Sequence, residues 1–317
     1  ARADRAVLFA IRMSNLSLIL GALGPIFALI LLGLGLRRLG FPGDGFWPAA
    51  ERLTYFLLFP ALLVNRLAQA RLEEYAVGPV AVVVVVLLLG MTALAYTLRP
   101  WLGVDGPAFS SVYQGAIRFN TYVGLAVALA VFHAEGGTVA ALVMALMIPL
   151  INVLCVLVLS AHAGGSISVT GVLRGLITNP LILACLVGIG LNLSGIGLPW
   201  GSAAMLDILA RAALPLGLLA VGAGLRLAAL NRPGLLVAVS ALKLLVLPAL
   251  AAMLCWLVQP GQLETAVLMT FAALPGSSTA YILARQLGGD APLMAAIVTV
   301  ETGLALVTLP AVLVWVV

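Results

Sequence analysis

Residues 272–281 read Ala272-Ala273-Leu274-Pro275-Gly276-Ser277-Ser278-Thr279-Ala280-Tyr281 and lie in the middle of a long apolar stretch. Proline removes one helix hydrogen bond, glycine loosens the next turn, and serine and threonine offer themselves as substitute partners. A helix is therefore expected to break here. Residues 114–124 read Gln114-Gly115-Ala116-Ile117-Arg118-Phe119-Asn120-Thr121-Tyr122-Val123-Gly124, and Asn120 lies 155 positions before Pro275. The same ungapped offset of 155 relates Pro25 to Pro180, Gly33 and Gly35 to Gly188 and Gly190, Pro60 to Pro215, Arg71 to Arg226, Trp101 to Trp256, and Glu135 to Asp290. Proline, tryptophan and acidic residues are scarce in this chain, so one offset aligning them implies a duplicated unit.

The chain is 63% hydrophobic and 9% charged, with a mean hydropathy of +1.22. That composition lies far outside the range of water-soluble domains. In hydrocarbon only helices and closed barrels satisfy their backbone, and runs such as Val80 to Leu89 lack the period-2 alternation of a barrel strand. The expected fold class is all-α. Segments of about 20 residues fall near 16–37, 47–69, 76–98, 107–132, 136–162, 171–193, 201–226, 233–258, 262–287 and 290–316. These make ten transmembrane spans, five per repeat, with an N-terminal extension at 1–15, a first repeat at 16–162 and a second at 171–317. Because five is odd, the second repeat enters the membrane from the opposite side, an inverted topology that belongs to carriers.

Loop charges set the orientation. The loops after spans 1, 3, 5, 7 and 9 carry Arg37, Arg38, Arg52, Arg99, Arg174, Arg226, Arg232 and Arg285. The other side has Arg66 and Arg71 beside Glu73 and Glu74, with Arg2, Arg5 and Arg12 ahead of span 1. The positive-inside rule places the first set in the cytoplasm and both termini outside. Residues 1–12 read as an upstream extension before Met13. The pI near 9.5 is thus a topology signal, and no nucleic-acid partner is needed to explain it.

Several chemistries are absent. Lys243 is the only lysine and sits in an apolar helix, so there is no GxxxxGK[ST] phosphate loop. His133-Ala-Glu135 superficially matches a zinc deaminase, but no PCxxC follows. Cys155, Cys185 and Cys255 lack CxxC spacing and read as small buried hydrophobes. No enzymatic site, metal or cofactor is expected.

The polar residues within the spans are more informative. A charge near the middle of a spanning helix costs about 2.5–3.5 kcal/mol on insertion scales and persists where it pairs or lines a cavity. Arg118, Arg211, Lys243 and Glu301 are such charges. Asp207 is placed to pair with Arg211 at i,i+4. Arg118 and Lys243 then exceed Glu301 by one positive charge, which points to an anionic ligand; snorkelling or a structural pair with Glu301 is the plainer alternative. Breaks near Asn120 and Pro275 would aim two half-helix N-termini at one point, a second reason to expect an anion. An ordinary proline kink, with Ser277 and Ser278 bonding their own backbone, is the alternative there.

At these residues the chain resembles the auxin efflux carrier family, which includes bacterial members and the plant PIN proteins, within the bile acid/sodium symporter-like superfamily. The resemblance runs from Met13 to Val317 and rests on Gly24-Pro25-Ile26-Phe27, Arg118-Phe119-Asn120-Thr121, Asn179-Pro180, Lys243-Leu244-Leu245 and Ala273-Leu274-Pro275. It implies a scaffold from spans 1, 2, 6 and 7 and a moving core from spans 3–5 and 8–10. In that core the broken spans 4 and 9 cross beside the substrate, and transport follows an elevator motion. Asn120 matches an Asn that binds the substrate carboxylate in the plant carriers. Phe119 stands where those carriers have Pro, and Arg118 suits a second carboxylate, as in malonate-like dicarboxylates.

The expected function is secondary active or facilitative transport of a small organic anion across the cytoplasmic (inner) membrane of a bacterium. The substrate-binding candidates are Asn120, Arg118, Thr121, Pro275, Gly276, Ser277 and Ser278; those for ion coupling or support are Lys243, Glu301 and Asn152. The expected partners are the substrate anion, the lipid bilayer, a proton or sodium as coupling ion, and a second copy in a homodimer through the scaffold spans. A sodium-coupled symporter, and a channel or receptor on the same scaffold, are the competing readings.

Overall fold

The computed structural model describes residues 2–43, 45–162, 169–199, 201–226 and 232–316, with side chains from Ser17 onward except at 163–172 and in the remaining gaps. The chain is an all-helical membrane protein. Among the described residues six helical stretches are long and apolar enough to cross a bilayer, including Ser17–Arg38, Val77–Leu102 and Ala291–Val316.

Helix α1 spans Arg2–Arg38. It therefore starts well before residue 16, where the sequence suggested that the first span begins, although the side chains of its first turns lie outside the described residues. α2 (Phe46–Leu53) and α3 (Phe59–Ala68) are joined by a π-helical turn at Thr54–Leu58. Pro60 follows that turn and cannot donate to the carbonyl four residues earlier, so the chain widens locally to longer-range bonding. The same device recurs where a π turn at Leu242–Val246, ahead of Pro248, joins α10 (Pro233–Ala241) to α11 (Leu247–Val258).

α4 (Val77–Leu102) is unbroken. α5 (Gly106–Ile117) opens on an Asp105 cap, whose carboxylate accepts the Ala108 N–H at 2.9 Å, and α6 (Thr121–His162) follows after three residues. Spans 4 and 5 were expected to be separated at 133–135. One residue suffices: His133 takes φ 57 and ψ −149, and the helix kinks there.

Span 6 was expected to be continuous over 171–193. It is two helices, α7 (Val169–Ile177) and α8 (Pro180–Leu193), because the Asn179 side chain accepts the N–H groups of Leu181 and Ile182 at 2.9 and 3.2 Å, and Pro180 supplies a fixed φ at the first helical position. α9 (Ser202–Gly224) follows. α12 (Gln262–Ala273) and α13 (Thr279–Gln286) flank the second interruption, and α14 (Ala291–Val316) ends the described chain. The Ala161 to Gly171 connection lies mostly outside the described residues.

Two helical groups can be distinguished by packing. α1 and α3 lie against α9 and α8, while α4, α5, α6 and α10–α14 pack largely on one another. Within the first group the backbones nearly touch. A Cβ on Gly33 would lie 2.1 Å from the Leu219 carbonyl oxygen, one on Gly222 would lie 1.7 Å from the Ile30 carbonyl oxygen, and one on Gly188 would lie 3.3 Å from the Val64 Cα. Gly33 on Leu219 and Gly188 on Val64 are the same contact with its residues exchanged by the offset of 155.

Candidate functional site

The site forms where the α5–α6 and α12–α13 interruptions meet. Arg118 leaves α5 in extended conformation (φ −74, ψ 146), and Leu274 leaves α12 in nearly the same one (φ −67, ψ 146). Extended chain in a bilayer must find partners for its N–H and C=O groups. Here the interruptions serve each other, as the N–H of Asn120 donates to the Pro275 carbonyl at 2.9 Å. The Asn120 side-chain oxygen accepts from the N–H groups of Tyr122 and Val123 at 3.1 and 3.2 Å and so caps α6. On the other chain the Gly276 N–H donates to the Glu301 carboxylate at 2.8 Å, from α14.

Arg118 lines a cavity of about 610 Å³ between the two helical groups. The residue is only 8% exposed, and its guanidinium donates to Asn152 Oδ1 at 2.7 Å, Cys155 Sγ at 3.4 Å and Thr279 Oγ1 at 3.5 Å. All three are neutral. Among the described residues Arg118 has no carboxylate within ion-pair distance. Tyr55, from the π turn ahead of α3, lines the same cavity. Thr121, Ser277 and Asn179 line an adjoining narrower space together with Arg118 and Asn152.

The other sequence candidates sit differently. Asn120 is 1% exposed and lines neither space; its side-chain Nδ2 is buried without a hydrogen-bond partner. The Pro275 carbonyl is occupied by Asn120, and Gly276 by Glu301. Ser278 faces a separate cavity and donates to Glu51 Oε1 at 3.5 Å. Lys243 and Glu301 are both wholly buried, within electrostatic range of each other, but form no ion pair within 4 Å; Lys243 Nζ and Glu301 Oε1 have no hydrogen-bond partner. The amide of Gln114, on the α5 turn that precedes Arg118, is likewise buried and unpaired. Asp207 does pair with Arg211, at 2.7 Å, on a largely exposed face.

Asn152 was a candidate for ion coupling or support. The structure places it in direct contact with Arg118, where its carbonyl oxygen orients the guanidinium. Sequence reasoning did not place Tyr55, Thr279, Asn179 or Cys155 among the site residues. Thr279 directly follows the serine pair that it did choose, and Pro60 five residues after Tyr55 was a readable sign of a local irregularity. For Cys155 there was no signal, because a thiol accepting a guanidinium N–H depends on a neighbouring helix.

Comparisons with known proteins place the chain in a family. A family model described as "Membrane transport protein" matches residues 18–313. A protein of Methanothermobacter thermautotrophicus named "Uncharacterized transporter" is 28% identical over 290 residues, covering 90% of this chain and 94% of the relative. A protein of Rhizobium meliloti named "Putative malonate transporter" is 28% identical over 286 residues, covering 85% of this chain and 87% of the relative. With a match over nearly its whole length, the chain belongs to the membrane transport protein family of the auxin efflux carriers, a family of transporters and not of enzymes.

Proposed function

We propose that the chain carries small organic anions across the membrane, with dicarboxylates of the malonate type as the first candidates. The observation that carries this reading is Arg118: a nearly buried arginine at a helix break, held by Asn152, Cys155 and Thr279, with no carboxylate partner among the described residues, lining a cavity. A guanidinium presents paired N–H groups that match a carboxylate bidentately. Intramembrane charge without a protein counter-ion is expensive unless a ligand supplies the counter-charge. The relative named as a malonate transporter adds support, since one carboxylate can meet Arg118 while the other meets Asn179, Thr121 or the Ser277 turn.

The same reading holds that ten spans form two inverted repeats and that transport is an elevator motion of the α4–α6 and α10–α14 group against the α1–α3, α8 and α9 group. The exchanged contacts of Gly33 with Leu219 and Gly188 with Val64 support the repeat. The cavity between the groups supports the motion. Both termini then lie outside the cytoplasm, and the arginine-rich loops lie within it. A homodimer through the static group completes the proposal, and coupling, if any, is to a proton or to sodium.

Purified protein in vesicles preloaded with unlabelled malonate tests the function by counterflow of labelled malonate, with and without sodium and across a proton gradient. Saturable counterflow is the expected result. Equal flux without saturation would mark a channel, and binding without flux a receptor. Preference for neutral or cationic solutes over every carboxylate tested would defeat the anion assignment.

A further inference from the structure

Next to the Arg118 cavity lies a second one of about 300 Å³, and Pro48, Glu51 and Ile282 belong to the walls of both. Three arginines reach it from separate elements: Arg37 at the end of α1, Arg226 just after α9, and Arg285 on α13. None of their guanidinium groups has a hydrogen bond or an ion pair within 4 Å among the described residues. Among the described residues Glu51 is the one carboxylate in the wall, and it takes the Ser278 hydroxyl instead. The deeper wall is apolar, formed by Trp47, Ala223 and Val298, all buried.

Like charges gathered around one concavity repel, and their joint field concentrates counter-ions there. Charged arginines with apolar carbon behind them suit a small solute that has a carboxylate at one end and a short carbon body.

We infer that the Arg37, Arg226 and Arg285 cavity is a second anion-binding subsite, which receives a carboxylate solute from the arginine-rich face before it passes Glu51 to reach Arg118. This rests on the carrier reading above and adds where the solute is first held. Because Arg37 and Arg226 belong to one helical group and Arg285 to the other, the subsite is complete only in the conformation seen here, so its effect on transport is confined to one face.

The test uses the full chain with Arg37→Gln and Arg285→Gln combined, reconstituted in purely zwitterionic phosphatidylcholine vesicles, with malonate as the probe. From the arginine-rich face the malonate KM should rise about threefold to tenfold, as for loss of modest electrostatic steering, while kcat stays within about twofold and entry from the other face is unchanged. The fall of kcat/KM between about 50 and 300 mM salt should also flatten. An unchanged KM and salt slope, with saturable malonate transport by the wild type, overturns the subsite and leaves the carrier reading standing. A change that appears only when anionic lipid is added makes the cavity a headgroup site and overturns it as well.

If the wild type moves no malonate, the carrier reading fails for that solute, and direct binding decides the subsite separately. Arg118→Gln protein should keep weak, salt-sensitive binding of malonate or another carboxylate, and adding the two outer substitutions should remove it. Absence of any residual carboxylate binding in Arg118→Gln overturns the inference.

Discussion

The backbone N–H of Asn120 donates to the carbonyl of Pro275 at 2.9 Å, and these two residues stand at equivalent positions of the 155-residue offset. Each helix break thus supplies what the other lacks in a solvent without water. The side chain of Asn120 is committed at its oxygen to capping α6, which alters what its replacement should do.

Asn120→Ala should lower stability by about 1 kcal/mol through loss of the cap, so a transport defect in that variant has two causes. Asn120→Ser keeps a neutral capping oxygen and removes the buried Nδ2 donor without adding charge. It should melt in detergent at about the wild-type temperature yet bind malonate at least tenfold more weakly, if Nδ2 serves the solute. Wild-type binding by the Ser variant would remove Asn120 from the site.

Arg118→Gln should weaken carboxylate binding by about 2 kcal/mol, within the range for hydrogen bonds to charged groups, which is about 30-fold in Kd. Asn152→Ala should act in the same direction but less, because it frees the guanidinium that Asn152 holds at 2.7 Å. Isothermal titration of both variants against malonate checks the order. A larger loss from Asn152→Ala than from Arg118→Gln would make Asn152 the direct contact.

Gly222→Ala and Gly33→Ala should each cost about 1–3 kcal/mol or more, the usual range for overpacking, since the added carbon meets backbone at 1.7 and 2.1 Å. Gly21→Ala meets nothing within 4 Å and serves as the control on the same helix. Thermal unfolding in one detergent separates them; equal melting temperatures would contradict the close approach of α1 and α9.

Topology can be read with new thiols, because Cys155, Cys185 and Cys255 are buried and should stay silent to membrane-impermeant maleimides. Leu39→Cys, after α1, should label only from the cytoplasmic side, and Ser194→Cys, after α8, only from the opposite side. Labelling of both from the same side would refute the inverted arrangement.

Where the chain breaks was legible to the extent that the break has a local cause. Pro275 and Gly276 announce theirs, and the offset carried the expectation to Asn120, which has no proline of its own. The split at Asn179 was missed because Asn-Pro inside a hydrophobic run looks like a kink until the side chain is seen to cap the next turn. Tyr55 was illegible for another reason: spanning helices are apolar on most faces, so no periodicity distinguishes the face toward a cavity from the face toward lipid. The separation of Lys243 from Glu301 likewise depends on how α14 and the π turn at Leu242–Val246 are seated, which no spacing along the chain encodes.

Lys243 is the only lysine between residues 1 and 317, and it is wholly buried. Amine-directed chemistry therefore has no side chain to attack while the core is intact. Succinimidyl cross-linkers are poorly suited to trapping a dimer of this protein, and trypsin must rely on arginine alone once Lys243 is out of reach. The same burial makes acylation of Lys243 a reporter: its rate measures how often the helices around it come apart.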